Sequence, residues 1–209
     1  MSQSLVAVLR ALPLDLARCE AYELSTHGPI VGFLRRQAGS VTTSELLDGV
    51  ARGTFRGGIR CEDVQHLTFP DSSFDLCTST EVFEHVADDA AGFAELRRVL
   101  RPGGYLVFTV PLGGHAATLE RTALVDGVRI QTEPAEYHAD RDGRRVFCFR
   151  NYGTDILDRL RTVGFDDAML AEPPQRLFGH ARRVVVARRA PASGVTAEVN
   201  RDAGQQQHR

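Results

Sequence analysis

The chain has no lysine: all 25 of its basic residues are arginine, which reads as the coding bias of a GC-rich genome rather than as a designed surface. A Tyr-x-x-x-Lys pair is therefore impossible, and no GxGxxG follows any strand-like segment, so the two signatures of a nicotinamide-dependent oxidoreductase are both missing. Cys19, Cys61, Cys77 and Cys148 are widely spaced and form no CxxC pair. Neither a zinc cluster nor a disulfide framework is suggested, and buried free thiols in a reducing cytoplasm are expected, with no metal. No apolar run approaches the about twenty residues that cross a bilayer. The opening MSQSLVAVLRALPLDLARC lacks a basic leader and is broken by Arg10, Pro13 and Asp15, so it reads as an amphipathic helix rather than a signal peptide. A net charge of −2 without a basic tract gives no footprint for nucleic acid. These absences leave a soluble cytoplasmic protein with no nucleic-acid partner and no membrane span, of unknown oligomeric state.

What is present is ordinary in bulk and specific in detail. At 209 residues, with 43% hydrophobic and 25% charged, the chain suits one domain with a proper core. The informative stretch is Cys61–Pro111, CEDVQHLTFPDSSFDLCTSTEVFEHVADDAAGFAELRRVLRPGGYLVFTVP. Phe74–Thr78 is a short apolar run, as a strand buried on both faces should be, and Pro70-Asp71-Ser72-Ser73 before it is turn chemistry. From Asp88 to Leu100 the apolar positions fall at helical spacing, with Asp88 or Asp89 as the cap and Arg97, Arg98 and Arg101 near the negative end of the dipole. Pro102-Gly103-Gly104 is expected to stop that helix and turn the chain into a strand at Tyr105–Val110. Acidic residues and His85 collect at strand ends, where open parallel sheets bind ligands.

LTFPDSSFDL, EVFEHV and ELRRVLRPGGYLVFTVP, in this order and spacing, resemble the class I S-adenosylmethionine-dependent methyltransferases, in the Rossmann-like group that acts on small molecules. The resemblance implies an α/β fold: a seven-stranded, mostly parallel sheet with helices on both faces and an antiparallel C-terminal hairpin. It also implies S-adenosyl-L-methionine as cofactor. In this family an acidic residue ends the first strand and a glycine-rich loop follows, because the backbone passes close to the cofactor. Glu20–Leu24 is the matching strand, Ser25-Thr26-His27-Gly28 the loop and Pro29–Gln37 the helix, with Pro29 in its first turn. Glu23 takes the acidic position and Gly28 alone matches the glycines. Ser25 could offer a hydroxyl to the methionine end. Val41–Glu45 reads as the second strand, and Glu45 falls where the family places the carboxylate that accepts both ribose hydroxyls. Gly57–Cys61 leads into the third strand. By resemblance Asp63 accepts from the adenine amino group and the backbone at Val64 contacts the ring. About a dozen residues separate Glu45 from that strand, so the helix usual there is short or absent.

After the fourth strand, Thr80 and Glu81 are the expected contacts beneath the methionine moiety. His85 is either a general base or a support for the loop. Methyl transfer needs an aligned acceptor more than covalent help, and an oxygen acceptor also needs a base. The acceptor site is expected in the segment 112–151, which interrupts the core pattern and carries His115, Tyr137, His138 and the arginines 121, 141, 144, 145 and 150. His138 is a candidate catalytic residue, and Tyr137, His138 and His115 are candidate acceptor-site residues. The same segment could equally be a solvated lid, and its arginines either bind an anionic substrate group or only solvate it.

Beyond it, Tyr152–Val163 reads as a helix stopped by Gly164, with strands at Asp167–Glu172 and Arg183–Arg188 forming the closing hairpin. The domain is expected to span 1–189, and residues 190–209, without apolar periodicity, to be a disordered tail. The expected activity is methyl transfer to a small-molecule hydroxyl, of a saccharide, glycolipid or secondary metabolite. The alternative, motivated by the glycine-poor loop at Ser25–Gly28, is a degenerate domain that binds or scaffolds without catalysis.

Overall fold

Three apolar runs, at 74–80, 100–109 and 184–188, lie at the centre of one sheet, and their side chains divide between two buried clusters. In residues 105–110, Leu106, Phe108 and Val110 enter one cluster while Tyr105 and Val107 enter the other. This is the period of two that sends successive strand residues to opposite faces. The structure, a computed structural model, describes residues 2–139, 143–172 and 183–192.

In chain order the first elements are helix α1 (Ser2–Ala11), strand β1 (Glu20–Glu23), α2 (Pro29–Gln37), β2 (Ser40–Thr43), β3 (Phe55–Arg56), β4 (Ile59–Arg60), β5 (Phe74–Thr80), α3 (Asp89–Val99) and β6 (Leu100–Thr109). Short strands follow: β7 (Leu119–Glu120), β8 (Thr122–Val125), β9 (Val128–Gln131), β10 (Tyr137–Ala139), β11 (Arg145–Phe147) and β12 (Arg150–Asn151). Helix α4 (Ile156–Thr162) and strands β13 (Asp167–Ala171) and β14 (Val184–Arg188) close the domain. The main sheet has the order β13-β14-β6-β5-β1-β2. Strands β2, β1, β5 and β6 pair in parallel, while β14 pairs antiparallel with both β6 and β13. Helices α1 and α2 supply Leu5, Leu9, Ile30 and Phe33 to one face. Helices α3 and α4 supply Phe93, Leu96, Ile156 and Leu160 to the other. The expected α/β sheet with helices on both faces and an antiparallel closing pair is therefore present. No helix among the described residues is long and apolar enough to cross a membrane.

Several local signals act as read. Pro29 sits in the first turn of α2, and the Asp88 side chain caps α3 by accepting from Ala91 N at 3.0 Å. Gly164, at φ +96°, follows the end of α4. Three expectations need correction. Among the described residues the sheet has six strands, not seven. Gly57 and Gly58, at φ +60° and +79°, turn the chain back so that β4 pairs antiparallel with β3. What remains of the third strand is a parallel bridge between Cys61 and Glu45. The second correction concerns Pro102-Gly103-Gly104, which lies inside β6 rather than between helix and strand. Helix α3 ends at Val99, the strand begins at Leu100, and its register against β5 shifts between Phe74 and Leu76. Gly103 takes φ +84° within that irregular stretch. The third is the helix read over 152–163, which starts only at Ile156 because Tyr152 and Asn151 are drawn into bridges with Leu112 and β7. The expected disordered tail falls almost wholly on residues 193–209, outside the described residues.

The strand order reverses between β1 and β5: the chain runs outward from β1 to β2, then returns to lay β5 on the other side of β1. The carboxyl ends of β1 and β5 thus flank the switch point, where such sheets bind ligands. The segment 112–151 is a string of two-stranded pieces fastened there by Arg150, which is 3% exposed. Its guanidinium donates to the carbonyls of Phe83, Val86 and Ala87 at 3.2, 2.5 and 3.0 Å and to Glu120 at 3.2 Å. Arg150→Ala should destabilise the fold by about 3–5 kcal/mol, the scale for breaking a buried charged pair. Urea denaturation checks this, and a loss below about 1 kcal/mol would show that water can replace the guanidinium.

Candidate active site

Glu23 ends β1 with its carboxyl 1% exposed, and the Thr78 hydroxyl of the neighbouring strand donates to it. Burial pushes its pKa up to about 8 against that bond, with the Glu45 charge adding to the shift. Beyond it the chain makes the Ser25–Gly28 loop. Gly28 takes φ +103°, and a β-carbon there would meet nothing within 4 Å, so the backbone conformation rather than crowding calls for glycine. The loop is tied to Glu45: the Thr26 amide and hydroxyl donate to Glu45 Oε1 at 3.1 and 2.8 Å. His27 is held beside them, its Nδ1 2.6 Å from Thr26 Oγ1. The Ser25 hydroxyl bonds with the His27 backbone at 3.3 Å. Ser25, Gly28 and Glu45, distant in sequence, are thus brought to one edge of the cleft.

Asp63 works as a cap. Its Oδ1 accepts from Gln65 N and Nε2 at 2.9 and 3.0 Å, starting a short 3-10 turn over Val64–His66. Val64 packs against Gly92, where a β-carbon would lie 3.4 Å from its methyl group. The Gln65 side chain reaches on to accept from Asp88 N at 2.9 Å, so the turn is joined to the start of α3.

At the carboxyl end of β5 the polar groups change character. Ser79 Oγ, Thr80 Oγ1 and Thr109 Oγ1 are all buried without a hydrogen-bond partner. Thr80 lies opposite Thr109 on β6, and Glu81 follows at φ +54° with its amide donating to the Thr109 carbonyl at 2.9 Å. Buried hydroxyls normally find partners. Thr80 and Thr109 are register partners on one face of the sheet, while Ser79 faces the other side.

The third group joins this loop to the segment 112–151. His85 Nδ1 meets the Phe147 carbonyl at 2.8 Å, and the His85 and His138 rings stand edge to face at 5.1 Å. Beneath them Glu84 is 1% exposed, and both of its carboxyl oxygens lack a hydrogen-bond partner. His85 Nε2 and His138 Nδ1 each lie 3.8 Å from Glu84 Oε1. Burial pushes the Glu84 pKa up to about 8 and lowers that of His85. These contacts are too long for hydrogen bonds, and burial makes Glu84 and His85 a neutral pair rather than an ion pair. On its outer side His138 Nε2 faces Glu136 at 3.4 Å. Strand alternation sends Tyr137 the other way, against Phe147 and under the Arg145 guanidinium. His115 is exposed, with its ring over Gly113. The structure therefore brings His85 and His138 together and leaves Tyr137 and His115 outside that group. Three of the arginines are engaged within the protein: Arg150 is buried on carbonyls, Arg121 pairs with Glu136, and Arg145 covers Tyr137. Arg141 lies outside the described residues.

A methyltransferase domain family matches residues 27–108. The malonyl-[acyl-carrier protein] O-methyltransferase of Serratia marcescens is 31% identical over 108 residues, covering 51% of this chain and 40% of that protein. Among solved structures, an S-adenosylmethionine-dependent methyltransferase from Mesorhizobium loti superposes with TM-score 0.55 at 20% identity, covering 89% of this chain and 98% of that one. A DhpI–SAM–HEP complex superposes with TM-score 0.59 at 21% identity, covering 90% and 86%. Residues 27–108 therefore resemble a methyltransferase domain, and the chain has the fold of S-adenosylmethionine-dependent methyltransferases. It spans less than half the length of the first curated relatives that it matches.

Sequence reading named the loop residues and the buried Glu23 as candidates, and it left several other polar residues of this region unnamed as site residues. Glu84, Glu136, Cys148, Ser79 and Thr109 were not singled out, although Glu84 stands inside the EVFEHV motif. Its acidity was visible, but its burial depends on residues about sixty positions away. Glu23 offers a direct check on burial. A carboxyl whose pKa rises from 4.5 to about 8 on folding contributes stability that is full below pH 4.5 and lost as pH rises through 8. Glu23→Gln should therefore gain on the wild type between pH 5 and 8, by up to about 1.4 kcal/mol per pH unit. Parallel stability curves for the two proteins across that window would refute the buried neutral acid.

Proposed function

We propose that the domain transfers a methyl group from S-adenosylmethionine to a hydroxyl oxygen of a small molecule, with a saccharide, glycolipid or secondary metabolite as the favoured acceptor class. The observation that carries the reading is the unpartnered pair Thr80 and Thr109 at the carboxyl ends of β5 and β6, together with a loop after β1 already tied to Glu45. Buried hydroxyls normally find partners, and a polar ligand would supply them to Thr80 and Thr109. These residues fit the cofactor. Glu45, its Oε1 engaged by Thr26, would accept from the ribose with its remaining capacity, and Asp63 and the Val64 backbone would meet the adenine. Ser25, Gly28, Thr80 and Glu81 would line the methionine end, with Glu23 beneath as a neutral acid.

Bound S-adenosylmethionine supplies a methyl group already activated by its sulfonium. What remains for the chain is to align an acceptor and, for oxygen, to take a proton. His85 and His138 are the groups placed for that, one fixed by a backbone carbonyl and the other half-exposed at the mouth. The segment 112–151 would wall the acceptor site, with Tyr137 and His115 at its margin.

Calorimetric titration with S-adenosylmethionine and S-adenosylhomocysteine tests the reading. Micromolar binding is expected, and Glu45→Ala should weaken it by about 1–3 kcal/mol, the scale for hydrogen bonds to a charged group. No binding by the folded protein would favour the degenerate, scaffolding reading instead. With an accepted hydroxyl substrate, His138→Ala should lower turnover while leaving S-adenosylhomocysteine affinity within about twofold. Loss of both together would assign His138 to folding.

A further inference from the structure

We infer that His85, His138 and Cys148 form a binding site for a divalent transition-metal ion of the zinc type. One nitrogen of each imidazole and the Cys148 sulfur lie within 4.8 Å of one another. The three come from the loop after β5, from β10 and from the residue after β11, so no sequence spacing announces them. Each imidazole has one nitrogen engaged by the protein, and Cys148 Sγ lies 3.9 Å from the engaged nitrogen of His85, Nδ1. His85 Nδ1 meets the Phe147 carbonyl at 2.8 Å, and His138 Nε2 faces the Glu136 carboxylate at 3.4 Å. A carbonyl or carboxylate on the far nitrogen is the outer-shell arrangement that fixes the tautomer of metal-binding histidines.

The inward nitrogens, His85 Nε2 and His138 Nδ1, both face the same atom, Glu84 Oε1, at 3.8 Å. Glu84 is 1% exposed and neither of its oxygens has a hydrogen-bond partner. Cys148, fully buried, adds a soft ligand, and two imidazole nitrogens with one sulfur suit zinc or cobalt rather than magnesium or calcium. Binding would release the Cys148 thiol proton, and any proton on Glu84, to solvent.

The ion would staple the segment 112–151 to the loop after β5, where the Phe149 amide already donates to the Glu84 carbonyl at 2.7 Å. With the ion bound, the imidazole lone pairs hold it and are not free to take a proton, so the base role of His85 and His138 belongs to the metal-free protein. That extension rests on the methyl-transfer reading; the metal site does not.

The test is titration of the untagged, chelator-stripped full chain with zinc(II) and with cobalt(II), followed by calorimetry and absorption. One ion per chain is expected, with a cobalt–thiolate charge-transfer band that Cys148→Ser abolishes. Affinity should fall at least 100-fold in the half-exposed variant His138→Gln, and about 10–100-fold in Glu136→Gln, which alters only the outer shell. Circular dichroism confirms that each variant is folded. Absence of stoichiometric binding by the folded chain, or binding that survives both Cys148→Ser and His138→Gln, would overturn the site. S-adenosylhomocysteine titrated into the same stripped sample separates the two readings, since cofactor binding without metal binding sinks only this one.

Discussion

One buried guanidinium governs how the candidate site is assembled. Arg150 spends its donors on three main-chain carbonyls of the loop after β5 and on Glu120, while Asp89 lies 3.6 Å away. Those carbonyls belong to the stretch that positions Glu84 and His85. The charge does not stand alone. Asp89 also accepts from the Tyr152 hydroxyl at 2.8 Å and pairs with Arg159 of α4 at 3.1 Å, and Arg159 reaches Glu120 at 2.6 Å. Two arginines and two carboxylates thus connect the start of α3, the segment 112–151 and α4. A lysine could not replace Arg150, since only the planar fork with five donors serves carbonyls and a carboxylate at once. A buried ion network is weak evidence for stability by itself. Its consequence here is positional: it fixes the segment carrying His138 and Cys148 over the loop carrying His85.

The parts of the fold legible in the sequence are those whose cause is local. Asp88 caps α3, Pro29 opens α2 and Gly164 follows α4 because each effect acts within one turn of the chain. The central strands were legible because residues buried on both faces leave an unbroken apolar run. Where neighbours in space decide, reading failed. The Gly57-Gly58 pair was taken as an approach to a strand, whereas two consecutive positive φ values make a hairpin that uses up the strand's hydrogen bonds. Pro102-Gly103-Gly104 has turn composition but lies in the register shift between β5 and β6, where Gly103 N donates to the Arg189 carbonyl and Gly104 O accepts from Arg189 N.

The candidate site divides in the same way. Glu23, Ser25, Gly28 and Glu45 could be named from position along the first two strands, and the structure gathers the last three through the Thr26–Glu45 hydrogen bonds. The pairing of His85 with His138 could not be read, because it depends on the fastening by Arg150. Tyr137 looked like a partner of His138 on sequence adjacency alone. Successive residues of a strand face opposite ways, and β10 is a strand.

Three buried glutamates separate structural from functional polarity in this chain. Glu62, 3% exposed, is satisfied on both oxygens by Arg60, the Thr68 amide and the Thr68 hydroxyl, and it stitches a turn. Glu23 has one donor, the Thr78 hydroxyl, and its raised pKa lets it remain as a neutral acid within the sheet. Glu84 has no hydrogen bond, yet it is as buried as Glu23 and faces two imidazoles held from behind. An unsatisfied buried polar group carries a desolvation cost of about 1–3 kcal/mol, and more when charged. A fold that satisfies Glu62 completely has the means to satisfy Glu84, and at Glu84 it instead directs two nitrogen lone pairs at the same carboxyl oxygen. The cost is offset only by something that enters between them, a proton or a cation, and a buried thiol beside the pair favours the cation.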